Sequence, residues 1–186
     1  GLGDAILCAK DFIDDEPFGV ILGDDVVYNG NETPALKQLM DQYQKTGATI
    51  IGCQIVPKSA VSSYGIVNGV PTEDPNLVHV KDMIEKPSIE EAPSQFAALG
   101  RYVITPDIFG ILEQTKPGKG GEIQLTDALR VMAHDGHVYA YNFTGERYDT
   151  GNKLGYLKAT VEFALRREDL GEDFKNYLKT LVANMD

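Results

Sequence analysis

Cysteine is scarce in this chain of 186 residues: Cys8 and Cys53 stand apart, with no spacing that suits a metal. Two isolated cysteines fit reduced thiols rather than a disulfide framework, which points to a cytoplasmic setting. Positive charge is short as well: 17 Lys and Arg stand against 28 Asp and Glu, for a formal net charge of −11. That balance speaks against DNA, RNA and anionic membranes as partners, because such binding relies on Lys and Arg. Long apolar runs are missing, so no membrane span is expected. The first residues carry no basic, apolar stretch of signal-peptide type. His79, His134 and His137 form no ligand cluster in the sequence and receive no role. The acidic excess sets one condition: a phosphate-bearing ligand needs local positive charge, either a metal ion or a well-placed Lys.

What is present is the composition of a globular protein, with 42% apolar and 24% charged residues. The length suits one domain with a real core. Residues 4–13 read as an amphipathic helix with Ala5, Ile6, Ala9 and Ile13 on one face. A strand follows at 18–23, then a loop, then Thr33-Pro34, with Thr33 as N-cap and Pro34 opening a helix that Gly47 closes. Further strands are expected at Ala48–Val56, Tyr64–Val70, Val78–Ile84, Phe96–Ile104 and His137–Phe143. Helices are expected after Thr105-Pro106, around Leu125 to Met132, at 152–168 and at 172–184. Strands alternating with helices predict an α/β fold with three layers, a mainly parallel mixed sheet flanked by helices. No repeat or linker interrupts the chain, so residues 1–186 read as a single α/β domain, with C-terminal helices over 152–186.

Several polar clusters sit at the ends of these elements. In Val20-Ile21-Leu22-Gly23-Asp24-Asp25 an apolar strand stops abruptly in glycine and two carboxylates. In open α/β sheets the strand ends face the ligand crevice, and carboxylates there suit Mg²⁺. A polar turn uses the same residues, and this run alone leaves both readings open. Tyr64-Gly65 opens a strand where a glycine permits close approach of a ligand, or only a turn. Glu85-Lys86-Pro87 sets opposite charges side by side, and Pro87 is expected to hold Lys86 extended. In an extended segment the two side chains point to opposite faces. The run from Gly118 to Asp127 joins a glycine-rich loop to a helix; Thr126 and Asp127 read as residues that cap and charge its first turn, while Glu122 and Gln124 have no packing task. Tyr148-Asp149-Thr150-Gly151-Asn152 follows a strand and precedes a helix, with Asp149 a second carboxylate and Asn152 an N-cap.

Taken in order, Gly-Leu-Gly-Asp-Ala, Leu-Gly-Asp-Asp, Tyr-Gly-Ile-Val, Glu-Lys-Pro, Gly-Gly-Glu-Ile-Gln-Leu-Thr-Asp and Tyr-Asp-Thr-Gly-Asn-Lys resemble the bacterial UTP–glucose-1-phosphate uridylyltransferases, which belong to the sugar-phosphate nucleotidyltransferases. The resemblance implies a Rossmann-like nucleotide-diphospho-sugar transferase fold and the conversion of UTP and glucose 1-phosphate to UDP-glucose and pyrophosphate. It implies Mg²⁺ as cofactor, held by Asp24 and, as a second carboxylate, Asp149. Lys86 would neutralise phosphate charge, which makes Asp24 and Lys86 the catalytic pair. Glu85 would accept from glucose hydroxyls, the backbone at Gly65 would approach the sugar, and Glu122 and Gln124 would line its pocket. Gly1 matches a glycine lying against the uracil.

The family pattern opens with a glycine-rich loop carrying an Arg and a Pro-Lys segment, and this chain starts beyond it. The chain is therefore expected to be an N-terminally truncated, C-terminal part of such an enzyme, inactive alone and inclined to form homo-oligomers through exposed apolar surface. The alternatives are a non-catalytic sugar-phosphate-binding or interaction domain, or transfer to another sugar 1-phosphate or from dTTP.

Overall fold

The computed structural model of the chain describes residues 1–185. The chain opens with helices α1 (Leu2–Leu7) and α2 (Lys10–Ile13), then strands β1 (Phe18–Ile21) and β2 (Asp25–Tyr28). Helix α3 (Ala35–Thr46) leads to β3 (Thr49–Ile55), β4 (Gly65–Pro71), β5 (Leu77–Glu85) and β6 (Phe96–Ile104). Helices α4 (Asp107–Leu112) and α5 (Leu125–His134) precede β7 (Val138–Asn142) and β8 (Glu146–Asp149), and α6 (Lys153–Leu165) and α7 (Gly171–Ala183) follow. Two compact units result: Gly1–Leu22 with Asn29–Gly145, and Gly23–Tyr28 with Glu146–Asp186.

The first unit is built on a six-stranded sheet in the order β1-β6-β3-β7-β5-β4. The mixed α/β character is as the sequence predicts, but the sheet is not mainly parallel. Among the described residues only β3 and β7 run parallel; β1–β6, β3–β6, β4–β5 and β5–β7 are antiparallel. The reason is connectivity. The β4–β5 link is a tight turn in which Thr72 N–H donates to Leu77 O at 3.2 Å, and a hairpin forces its strands antiparallel. Periodicity marks where strands lie, not which way they run.

Burial explains the long apolar runs. All nine residues of β6 are buried, as expected of a strand covered on both faces. One face of the sheet, with Ile51, Cys53, Val80, Met83, Tyr102 and Ile104, packs against Ile108 and Leu112 of α4, Leu125 and Leu129 of α5 and Ile6 of α1. The other face meets α3: a Cβ placed on Gly52 would lie 3.1 Å from Leu39 Cδ2. Helix, sheet and helix make the three layers.

Local signals hold with small shifts. Residues 4–13 form two short helices rather than one, broken at Cys8-Ala9, and Asp14 ends the second in the left-handed region. Thr33 does not cap α3. Pro34 takes that place, and the Thr33 carbonyl instead accepts from Asn29 Nδ2 and Gln38 Nε2, each at 2.8 Å. Gly47 closes α3 at φ +64°, a conformation glycine adopts at no steric cost.

The second unit centres on the antiparallel ribbon β2–β8, with Asp25 opposite Asp149 and Val26 opposite Tyr148. Neither strand is expected from the sequence, because their partners lie far apart in the chain. One face of the ribbon packs on α6: Tyr28 and Tyr148 both meet the Phe163 ring edge-on, and the Tyr148 hydroxyl donates to Glu162 Oε2 at 2.5 Å. Arg166 stacks over Tyr28, its guanidinium carbon 4.2 Å from the ring centre. Burial and the Glu162 bond push the Tyr148 phenol well above its usual range. Among the described residues, no helix is long and apolar enough to cross a membrane.

Candidate functional site

The carboxyl end of β5 carries the first cluster. Gly65 and Glu85 are cross-strand partners in the β4–β5 ladder. Glu85 Oε2 accepts from Thr126 Oγ at 2.6 Å. A Cβ on Gly65 would lie 3.0 Å from that hydroxyl and 3.2 Å from the carboxylate oxygen. Glycine is needed here because polar atoms occupy the space a side chain would take. Thr126, read from sequence as a helix-capping residue, is instead the group that fixes Glu85; α5 has no side-chain cap. Asp127 next to it is half-buried, and burial together with the Glu85 charge raises its carboxyl above the usual range.

Lys86 departs from expectation. It sits at φ +45°, not in an extended conformation. This region is sparsely populated for residues other than glycine, and Pro87 adds further restriction. Hydrogen bonds on both sides hold the residue there: its N–H donates to Tyr64 O at 2.9 Å, and its carbonyl accepts from Lys119 Nζ. The turn cancels the alternation expected between Glu85 and Lys86. Lys86 Nζ lies 3.7 Å from Glu85 Oε1, with the ammonium half exposed. Strain of this kind is held where surrounding structure fixes it, and such positions cluster at ligand sites.

The loop before α5 joins the other expected residues to this cluster. Gly120 and Gly121 both have positive φ, near +75°, which lets the loop curl. Gln124 Nε2 donates to Lys119 O at 3.0 Å and approaches Glu122 Oε2 at 3.4 Å. Gly1 packs on the same segment: a Cβ there would lie 2.5 Å from Ile123 O and 2.8 Å from Glu122 Cβ. Gly1, Glu122, Gln124, Lys119, Lys86, Glu85, Thr126 and Gly65 thus form one continuous run of contacts within the first unit. Lys119 and Thr126 were not readable as members, because each is bound to a residue distant in sequence.

The acidic residues belong to the second unit. Asp25 is buried, 5% exposed, and accepts from Arg147 Nε at 2.5 Å. Asp24 is exposed, and its carbonyl accepts from the N–H of Thr150 at 2.8 Å and its hydroxyl at 3.0 Å. Gly151 lies beneath both remaining carboxylates: a Cβ on it would meet Asp24 Oδ2 at 3.0 Å and Asp149 Oδ1 at 3.3 Å. Asp24 and Asp149 therefore come together above one glycine, while Asp25 turns inward. Among the described residues no three His, Cys, Asp or Glu side chains group to hold a metal. Two exposed hard carboxylates over a space cleared by glycine do fit Mg²⁺, which takes one or two carboxylates and completes its shell with water and phosphate oxygens.

Residues 1–165 match the nucleotidyl transferase family, to which the chain belongs. UTP–glucose-1-phosphate uridylyltransferase of Staphylococcus epidermidis strain RP62A is 49% identical over 181 residues, 97% of this chain and 62% of that protein. The chain thus spans less than two thirds of the length of such curated relatives. A UDP-glucose pyrophosphorylase crystallised with UDP-glucose superposes with a TM-score of 0.87 at 46% identity, covering 90% of this chain and 63% of that one. The UTP-bound enzyme from Acinetobacter baumannii gives a TM-score of 0.85 at 35% identity over 100% of this chain and 62% of that one.

Proposed function

We propose that the protein carrying this chain is a uridylyltransferase that joins UTP and glucose 1-phosphate into UDP-glucose and pyrophosphate. A phosphate oxygen of the sugar attacks the α-phosphorus of UTP; the bond to the bridging oxygen breaks, and pyrophosphate leaves with that electron pair. Such transfers ask the protein mainly for positioning and charge stabilisation. The observation that carries the reading is the Gly65–Glu85–Lys86 cluster, in which a fixed carboxylate and an ammonium sit side by side over a glycine.

Thr126 occupies Glu85 Oε2, which directs Oε1 to accept from sugar hydroxyls. Lys86 then supplies a point charge to the sugar phosphate. Gly65 lets the sugar approach the backbone, Glu122 and Gln124 line its pocket, and Gly1 meets the base. Asp24 and Asp149 would hold Mg²⁺, which when bound supplies positive charge to the phosphates of an otherwise acidic protein. The names of the relatives support UTP and glucose over other pairs. A coupled assay of pyrophosphate release tests the reaction: UTP with glucose 1-phosphate should react at least tenfold faster than dTTP or galactose 1-phosphate, a ratio within reach of differential pocket contacts. Equal rates for all pairs would defeat the assignment.

The setting and assembly belong to the same proposal. Cys8 and Cys53 are both free thiols, which suits the cytoplasm. Leu154, Tyr156 and Leu157 on α6 and Tyr177, Leu181 and Val182 on α7 are exposed. Exposed large apolar residues in such number support a homo-oligomer, and a monomer mass by light scattering at micromolar concentration would overturn it.

A further inference from the structure

The ribbon face opposite α6 carries a buried charge arrangement to which the proposed reaction assigns no role. Asp25 and Asp149 are directly opposite one another across β2–β8. Like charges so placed repel. Arg147 lies two residues before Asp149 on the same strand, so its side chain shares their face. It donates to Asp25 Oδ2 from Nε at 2.5 Å and reaches Asp149 Oδ2 from its terminal nitrogen at 3.9 Å. Its side chain is 16% exposed, that of Asp25 5% and that of Asp149 40%. The guanidinium is therefore anchored on the buried acid and extended toward the exposed one. The two oxygens of Asp149 face different ways: Oδ2 faces Arg147, while Oδ1 lies over Gly151 beside Asp24.

We propose that Arg147, held by Asp25, is the positioning residue of the acidic pair, orienting Asp149 so that one oxygen joins Asp24 in taking a divalent cation. The inference rests on Asp24 and Asp149 being the cation ligands. The geometry gives the two arginine contacts different tasks. The short bond to Asp25 locks the guanidinium plane. The longer contact draws Asp149 Oδ2 aside without neutralising the carboxylate as a tight bidentate pair would. Ligating carboxylates are commonly oriented by such outer partners. Lysine replaces the group only in part, because its single ammonium lacks the fork that reaches two acids at once.

The test is Mn²⁺ binding to the full chain, followed by electron paramagnetic resonance of the free ion, with thermal melting as the control for folding. Removing Arg147 alone breaks its ion pair with the buried Asp25 and is expected to destabilise the ribbon. The informative variant is therefore Asp25→Asn with Arg147→Gln, which removes one charge of each sign and leaves the local net charge unchanged. A change in cation affinity then reports orientation rather than field. The double variant should melt as a folded protein while its Mn²⁺ dissociation constant rises about tenfold, the scale seen for lost outer-shell partners. Arg147→Lys should fall between it and the parent chain. A folded double variant with unchanged Mn²⁺ affinity overturns the inference. Asp24→Asn and Asp149→Asn separate the two levels. If they abolish binding while the double variant does not alter it, only the role of Arg147 fails; if they too leave binding unchanged, the cation site itself fails and the inference with it.

Discussion

Asp127 shows how a single residue records competing forces. It occupies the first turn of α5, where the helix dipole favours a negative charge by about 0.3–1 kcal/mol. Yet its carboxyl is raised above the ordinary value of 3.8, by burial first and by the Glu85 charge second, against a smaller opposing pull from Arg130. Burial and like charge set the direction of the shift. A carboxyl raised by folding stabilises the protein fully below the unfolded value and loses that contribution as pH climbs through the raised folded value. At neutral pH the ionised Asp127 is therefore a cost to the fold. Asp127→Asn should raise the melting temperature at pH 7 by a few degrees, and the difference should vanish on acidification below the ordinary carboxylate value. A variant that melts lower than the parent at pH 7 would show that Asp127 works as an ionised helix charge instead. Lys86 makes a related point at the same scale. Its sequence neighbour Pro87 argued for an extended backbone, but bonds from Tyr64 and Lys119 impose φ +45°. The residue before a proline is restricted, not determined, and long-range partners decided the outcome.

At the scale of elements, the turn from β8 into α6 brings the acidic pair together. Asn152 caps α6 as the sequence suggested, its Oδ1 accepting from Leu154 N–H at 2.9 Å and Gly155 N–H at 3.1 Å. Gly155 has a second task that no pattern revealed: a Cβ there would lie 2.0 Å from the Asp149 carbonyl oxygen. Helix preference alone would make Gly155→Ala stabilising by about 1 kcal/mol. The backbone clash reverses the sign, because α6 must move off the end of β8 to admit a methyl group. Gly155→Ala should melt below the parent chain and displace Asp149; a melt at or above the parent would remove the close contact from the account. The contrast measures what was legible. Helices α3 to α7 and strands β3 to β7 follow from apolar periodicity, glycine stops and helix-starting residues, all of them local. Strands β2 and β8 do not, because four residues such as Asp25–Tyr28 become a strand only by pairing with Glu146–Asp149. The candidate site divides in the same way. Glu85, Gly65, Asp24 and Asp149 were picked out by motif, whereas Thr126, Lys119, Arg147 and Gly151 owe their places to contacts across the fold. That Asp25 turns inward to pair with Arg147 in the ribbon is likewise not legible from the sequence.

For the whole molecule the dominant fact is charge. A net −11 repels anionic ligands at long range, yet the proposed substrates are anions. The two scales separate by screening. The Debye length is about 30 Å at 0.01 M salt and about 8 Å at 0.15 M. At low salt an approaching nucleotide sugar senses the entire acidic surface; at physiological salt it senses chiefly the groups it touches, which on the proposed reading include Lys86. UDP-glucose affinity should therefore hold or rise between 0.01 M and 0.15 M sodium chloride at fixed Mg²⁺. A basic phosphate-binding surface behaves oppositely, losing affinity steeply over the same range through counterion release. Isothermal titration at the two salt concentrations decides between them. A fall of tenfold or more, on the scale of several released counterions, would mean that local lysines rule binding even at long range, and the acidic surface would then have no part in substrate encounter. Lys86→Met sharpens the measurement: it should weaken binding at both salt concentrations by a similar factor, since a contact shorter than either Debye length is little screened. A loss confined to low salt would place Lys86 in steering the ligand rather than in holding it.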